Sequence, residues 1–117
     1  MAGEIKNTTT INYSKGGSIE KITLSETIDV SGNHFVRESK AASTSDGTLP
    51  LGGVTTPGEF YFYNKDATNY ILIGADGSSY PIKLKPAEAA RGRWNGAAVH
   101  FKSGAGTPVL DYFIADD

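Results

Sequence analysis

Residues 58–86 read GEFYFYNKDATNYILIGADGSSYPIKLKP and carry the strongest indication of the architecture of this chain. Short runs rich in aromatic and β-branched residues alternate there with Asn, Asp and Gly, a pattern typical of short strands joined by tight turns. We predict strands over 60–63, 70–73 and 80–84. The turns between them are expected at 64–69 and at Asp76-Gly77.

Two of these strands are apolar on both faces. Successive side chains of a strand point to opposite sides, so Phe60 and Phe62 cannot share a face with Tyr61 and Tyr63. The run from 70 to 73 has the same property. An antiparallel sheet in a small domain turns one face to the core and the other to water. We therefore predict a homo-oligomer in which a neighbouring subunit covers the second face, with the interface residues Tyr61, Tyr63, Tyr70 and Leu72.

The rest of the chain continues the strand-and-turn pattern, with a turn expected at Lys15-Gly16-Gly17. From 18 to 30 the apolar residues Ile22, Leu24, Ile28 and Val30 share one parity, which predicts a half-buried strand. Turn signals recur about every ten residues, and no helix of normal length is indicated. The expectation is an all-β fold: an antiparallel β-sandwich, jelly-roll-like, with about eight or nine short strands.

A single domain over residues 1–117 is expected from the length of the chain. The threonine-rich segment at about 1–15 is interpreted as an arm or an edge strand. Such a segment is a candidate for adding to the sheet edge of a neighbouring subunit.

Composition excludes several classes of function. The chain has no cysteine, so it can form neither a disulfide nor a zinc–thiolate site. Its net charge of -2 argues against a general affinity for nucleic acid or anionic lipid. The first residues lack the basic and apolar blocks of a signal peptide, and no apolar run approaches the ~18 residues of a membrane span. We expect neither membrane nor nucleic-acid partners.

Catalytic chemistry is not indicated either. His34 lies beside Phe35, and His100 lies on the polar side of a strand. Neither has a nucleophile and an orienting carboxylate in its sequence context, although such groups can come together from distant positions. We predict that the chain is not an enzyme and has no catalytic residue. An enzyme would require a pocket in which His34 or His100 meets a carboxylate.

No metal or cofactor is predicted. Asn64, Asp66 and Asn69 have the oxygen side chains of a calcium loop, but the glycine and the terminal glutamate of an EF-hand are missing. Asn and Asp are also the residues that tight turns prefer, so the segment is interpreted as a turn.

Two ligand-binding alternatives remain open. Trp94 and the tyrosines could stack on sugar rings in a carbohydrate-binding module. A second possibility is a basic patch for single-stranded nucleic acid, which the acidic total disfavours. Its residues would be Lys83, Lys85, Arg91 and Arg93, with Tyr80 and Trp94 for stacking.

Residues 57–93 and the closing 110–117 resemble small structural proteins of tailed bacteriophages. The shared phrases are a glycine-led aromatic strand, an Asn-x-Asp-x-x-Asn turn, a short apolar strand ending in Ile-Gly, a Leu-Lys-Pro-Gly-Glu-like turn, and a Tyr-x-Ile-x-(Asp/Glu) end. The matching residues here are Asn64, Asp66, Asn69, Ile73-Gly74, Leu84-Lys85-Pro86 and Glu88. Ala87 stands where the phrase has glycine, so the backbone of that turn is open to question.

The resemblance implies a virion component made in the host cytoplasm. A capsid decoration (cement) protein is favoured, with a tail or fibre-associated subunit as the alternative. Its partners would be the major capsid protein or a tail protein, and a trimer is favoured among the oligomers that such proteins form.

Overall fold

The computed structural model describes residues 3–117, which form ten β-strands in antiparallel sheets and no helix. No helix in this part of the chain could therefore cross a membrane. The chain divides into two compact units, one within residues 1–31 and one over Gly32–Asp117. The strands are β1 (Ile5–Lys15), β2 (Ser18–Ile28), β3 (Phe35–Ala41), β4 (Gly47–Thr48), β5 (Pro57–Asn64), β6 (Ile71–Gly74), β7 (Ile82–Leu84), β8 (Ala89–Arg93), β9 (His100–Ser103) and β10 (Val109–Asp116).

The first unit is a long β-hairpin. β1 and β2 pair without interruption from Ile5↔Ile28 to Lys15↔Ser18. The two linking residues, Gly16 and Gly17, have φ of 58° and 84°. Two-residue hairpin loops of this kind need positive φ at both positions, which glycine adopts at no steric cost. The predicted turn at these glycines is confirmed.

The second unit contains two four-stranded sheets, with strand orders β3-β10-β5-β8 and β4-β9-β6-β7. The pairings are nested: β3 pairs with β10, β4 with β9, β5 with β8 and β6 with β7. The chain thus passes through β3 to β6 and then returns through β7 to β10, and each returning strand pairs antiparallel with one of the first four. Two further pairings, β10 with β5 and β9 with β6, complete the sheets.

The inward faces of both sheets contribute to one buried core cluster. Phe62, Leu110, Tyr112 and Ile114 come from the first sheet and are inaccessible to solvent, as are Ile71 and Ile73 of the second. Three irregular positions, Ala42, Leu49 and Val54, are also buried. The alternation predicted for residues 60–63 is confirmed, because Phe60 and Phe62 lie in the core while Tyr61 is exposed.

The turn at 64–69 carries the chain from the first sheet to the second. Asn64 is fully buried, and its side-chain amide donates to the carbonyl oxygens of Asn69 and Leu84 at 2.9 and 3.0 Å. Its Oδ1 accepts from the backbone N–H of Asp66 at 2.9 Å. Asp66 in turn accepts from the backbone N–H groups of Thr68 and Asn69. The interpretation of this segment as a turn is confirmed.

Several expectations change. All-β architecture with antiparallel sheets is confirmed, but residues 3–117 contain ten strands where eight or nine were expected. The segment at 1–15 contributes β1 of the hairpin, and its residues 1 and 2 lie outside the described residues. β2 is a strand as predicted, but the half-buried face expected for it is open: Ile22 and Leu24 are each 53% exposed. The expectation of one domain stays a prediction.

Ala87 has a φ of 64°, the only positive value for a non-glycine residue among those described. The Glu88 N–H donates to the Lys85 carbonyl at 3.1 Å, closing a four-residue turn with Pro86 second and Ala87 third. Proline at the second position and positive φ at the third define a type II turn, where glycine is preferred. The backbone is therefore the one that the Leu-Lys-Pro-Gly-Glu phrase implies, although the residue is alanine.

We expect Ala87→Gly to stabilise the protein by about 0.5 to 1 kcal/mol. The left-handed conformation costs an L-residue about 1–2 kcal/mol, and the greater unfolded-state entropy of glycine offsets part of the gain. The matched control is Ala105→Gly, at an exposed loop position without positive φ, which we expect to be slightly destabilising. Urea denaturation of both variants checks this; equal destabilisation by the two substitutions would contradict it.

Candidate assembly surfaces

An aromatic strip lies on the outward face of the sheet β3-β10-β5-β8; we define it as Phe35, Tyr61, Tyr63 and Phe113. The pairing registers place Phe113 opposite Tyr61, and Phe35 and Phe113 have ring centroids 5.8 Å apart. Phe35 is 64% exposed and Tyr61 is 38% exposed, while Tyr63 and Phe113 are partly buried. The strip is therefore a row of four large aromatic side chains, two exposed and two partly buried.

Two arginines flank the aromatic strip. Arg37 pairs with Phe113 across β3 and β10, and Arg91 pairs with Tyr61 across β5 and β8. Arg37 forms an ion pair with Asp111, and Arg91 forms one with the buried Glu59 at 2.8 Å. Both guanidinium groups are thus held beside the rings by carboxylates of the same unit.

The predicted interface is divided between two faces. Tyr61 and Tyr63 belong to the aromatic strip, whereas Leu72 lies in β6 of the sheet β4-β9-β6-β7 and Tyr70 directly precedes that strand. The physical reason is the turn at 64–69, which moves the chain from one sheet to the other between the two strands. The four residues therefore do not form one patch, and their role in a subunit interface stays a prediction.

The outward face of the second sheet is polar and cationic around Leu72. Leu72 pairs with Lys83 on one side and Lys102 on the other. The Lys83 ammonium lies 4.5 Å from the centroid of the Tyr70 ring, and that of Lys102 lies 4.8 Å from the centroid of Tyr80. Each lysine therefore covers part of an aromatic ring, so this face is less apolar than its sequence indicates.

A second feature of that face is a hydrogen-bonded group formed by Asp46, Tyr80 and His100. The Tyr80 hydroxyl donates to Asp46 Oδ1, and His100 Nδ1 lies 2.9 Å from Asp46 Oδ2. The hydrogen bond from Tyr80, followed by that from His100, holds the pKa of the Asp46 carboxyl below its ordinary value of 3.8. The same bond to the Asp46 carboxylate raises the pKa of Tyr80 to about 12.

Both histidines meet carboxylates that are distant in sequence, which the local sequence context does not indicate. His34 Nδ1 lies 3.3 Å from Asp116 Oδ2. Asp116 also accepts from the backbone N–H groups of His34 and Thr55, at 2.9 and 3.1 Å, so this carboxylate ties two loops together. Each histidine thus meets a carboxylate, which is one of the groups that an enzyme site would require. At His34, that carboxylate also holds two loops together through backbone hydrogen bonds.

Trp94 is partly buried at the margin of the core. Its ring lies edge-on to Phe60 and Phe62, with centroids 5.5 and 5.9 Å away, and its Nε1–H donates to the Ala98 carbonyl at 3.1 Å. A sugar-stacking role needs an open ring face and a free polar edge. The geometry of Trp94 does not favour the carbohydrate-binding alternative.

The residues of the suggested nucleic-acid patch do not share one face. Lys83 belongs to β7 of the second sheet, while Arg91 and Arg93 belong to β8 of the first. Arg91 forms an ion pair with Glu59, and Arg93 forms one with Asp117. This arrangement offers no continuous basic groove for a phosphate backbone.

The hairpin exposes several large apolar side chains. Ile11, Tyr13, Ile22 and Leu24 are each between 50% and 53% exposed. The registers place all four on the same side of the ribbon, because Ile11 faces Ile22 and Tyr13 is two residues beyond Ile11.

Comparison of the chain with models of known protein families, with curated proteins and with solved structures finds no match.

We expect the contribution of Asp46 and Tyr80 to stability to be constant from about pH 4 to pH 10. The depressed pKa of Asp46 means that its contribution is lost as the pH falls through the folded-state value, below 3.8. The raised pKa of Tyr80 means that its contribution is lost as the pH rises through about 12. Tyr80→Phe removes the donor and should move the pKa of Asp46 back toward 3.8.

Carbon-detected NMR titration of the Asp46 carboxyl measures this shift directly. Tyr63→Phe, on the other sheet, is the control and should leave Asp46 unchanged. An Asp46 pKa at or above 3.8 in the unsubstituted protein would refute the described hydrogen bonding.

Proposed function

We propose that this chain is a non-enzymatic structural protein of a bacteriophage virion, in the first place a capsid decoration protein that binds the capsid surface. The observation that carries the proposal is the aromatic strip with its flanking arginines. Protein interfaces are enriched in Tyr, Phe and Arg, and such residues supply most of the binding energy at their centres. The strip has this composition and lies on paired strands of a four-stranded sheet.

Rigidity matters for the proposed role. Side chains on paired strands lose little further conformational freedom when a partner docks, so more of the contact energy remains as affinity. The ion pairs of Arg37 with Asp111 and of Arg91 with Glu59 hold the guanidinium groups in place before binding. A decoration protein must bind many equivalent sites in one geometry, and a pre-organised face suits that task.

The second unit is proposed to be a jelly-roll sandwich. The nested pairing of β3 with β10, β4 with β9, β5 with β8 and β6 with β7 supports this topology, because a jelly roll is such a folded-over antiparallel excursion divided between two sheets. The shared core cluster supports packing of the two sheets on each other. Jelly rolls are frequent in viral capsid proteins.

The type II turn at Ala87 adds support to the resemblance from which the virion role came. That resemblance has glycine in this turn, and the backbone here has the positive φ that glycine favours. The turn here therefore has the backbone conformation that a glycine at this position would favour, which supports the resemblance. A tail or fibre-associated subunit is the alternative location within the same proposal, with a tail protein as partner.

The experiment is quantitative mass spectrometry of virions purified on a density gradient from the source of this sequence. We expect the chain in the particles, at a fixed ratio to the major capsid protein. A few copies per particle would place it in the tail. Absence of the chain from particles that contain all other structural proteins would overturn the proposal.

Two substitutions test the binding face. Tyr61→Ser in the aromatic strip should lower the number of copies per particle, since it removes an exposed anchor without touching the core. Leu72→Ser, outward on the other sheet, is the matched control and should retain full occupancy. Equal occupancy for both variants would show that the aromatic strip is not the contact.

A further inference from the structure

We propose that Asn95-Gly96 is a site of spontaneous covalent modification in the folded protein. The Gly96 nitrogen gives up its proton to solvent and attacks Asn95 Cγ, and the side-chain amide group leaves as ammonia. The product is a five-membered succinimide ring. Water then opens the ring at one of its two carbonyl carbons and leaves aspartate or isoaspartate at position 95. The conversion needs water alone, and the proposal does not depend on the virion role.

Position 95 differs from the other asparagines in the residue that follows it. Asn95 is the only asparagine of the chain that precedes a glycine. A side chain on the following residue crowds the attacking nitrogen, whereas glycine has no Cβ. Ring closure is therefore least hindered at this peptide bond.

Both reacting groups lie in an exposed connection between two strands. β8 ends at Arg93, β9 begins at His100, and Asn95 is exposed between them. Within residues 3–117, no hydrogen bond involves the Asn95 side chain or the Gly96 N–H. Loop segments with few such bonds change conformation at low cost. The Asn95 side chain can therefore reach the nitrogen without first breaking a contact.

Asn33 provides an internal comparison. It is also exposed, and it lies in the loop before β3. The following residue is His34, whose backbone N–H donates to Asp116 Oδ2 at 2.9 Å. The attacking nitrogen would be crowded by a side chain and is already engaged, so we expect Asn33 to be much more stable than Asn95.

The two Asp-Gly pairs, Asp46-Gly47 and Asp76-Gly77, are protected by their charge. The same ring forms from an aspartate only when its carboxyl is protonated, because the leaving group is then water. The hydrogen bond from Tyr80 lowers the pKa of Asp46. Those from the backbone N–H groups of Ser78 and Ser79 lower the pKa of Asp76. Both carboxyls therefore stay ionised near neutral pH and resist ring closure.

The modification acts on the packing of Trp94. The Trp94 Nε1–H donates to the Ala98 carbonyl at 3.1 Å and so closes the loop that contains Asn95. The loop is tight, because a Cβ on Gly96 would lie 3.3 Å from Ala75 Cβ and from Trp94 Nε1. Isoaspartate carries the main chain through the former side chain, which adds one carbon to the backbone of this loop. We expect the bond to Ala98 to break and the indole ring to become more exposed.

The experiment is peptide mapping by mass spectrometry on the full chain, kept folded in a mildly alkaline buffer. Trypsin cleaves after Arg93 and Lys102, so peptide 94–102 contains Asn95 as its only side-chain amide. We expect this peptide to gain about one mass unit, because OH replaces NH2. Electron-transfer fragmentation should identify isoaspartate in it.

A synthetic peptide of residues 94–102, kept in the same buffer, gives the rate of conversion without the fold. We expect the folded chain to convert on the time scale of this peptide. An Asn95 that stays intact in the folded chain after the free peptide has converted would overturn the proposal.

Two controls test the role of the glycine and of the five-membered ring. The tryptic peptide 22–37 contains Asn33 and should convert about tenfold more slowly or less, which corresponds to a barrier higher by about 1.4 kcal/mol. Asn95→Gln keeps an amide but would have to close a six-membered ring, and it should gain no mass over the same time. Equal rates at Asn33 and Asn95 would contradict the role assigned to Gly96.

Fluorescence tests the effect on the loop, since Trp94 is the only tryptophan of the chain. Its emission should shift to longer wavelength in step with the gain in mass, and the emission of Asn95→Gln should stay constant. Unchanged emission from fully converted protein would refute the effect on Trp94. Both measurements use the purified chain alone, so the failure of the virion proposal would leave them standing.

Discussion

The structure depends on one constraint: a strand has two faces, and a single core can cover only one of them. In the second unit the core takes Phe60 and Phe62 of β5 and Ile71 and Ile73 of β6. The alternate residues of the same strands, including Tyr61, are left facing outward. The hairpin is a further case, because a two-stranded ribbon has no second layer within its own unit.

Local pattern was sufficient to predict the strands and turns with strong signals. Alternation at 60–63, the glycine pair at 16 and 17, and the Asn and Asp side chains at 64–69 each depend on interactions within a few residues, so their sequence signal is complete. The strand β8 carries no such signal. Its residues, Ala89–Arg93, have little intrinsic strand preference, and pairing with β5 makes them a strand.

The side chains that the two histidines contact could not be predicted, because a local pattern carries no information about residues distant in the sequence. The carboxylates that meet His34 and His100 come from Asp116 and Asp46, which lie 82 and 54 positions away. The division of Tyr61, Tyr63, Tyr70 and Leu72 between two sheets follows from strand order, which alternation does not encode. The exposure of the hairpin was missed because its alternating pattern is the same whether the apolar face meets the chain's own core or another subunit.

The test that bears most strongly on the proposed contact is oxidative footprinting of the outward aromatic rings, measured on the free chain and on purified particles. Phe35 and Tyr61 are exposed, so both rings should be oxidised readily in the free chain. The proposed role predicts that a partner covers the aromatic strip and protects both rings in the particle. Equal oxidation of these rings in the two samples would contradict it.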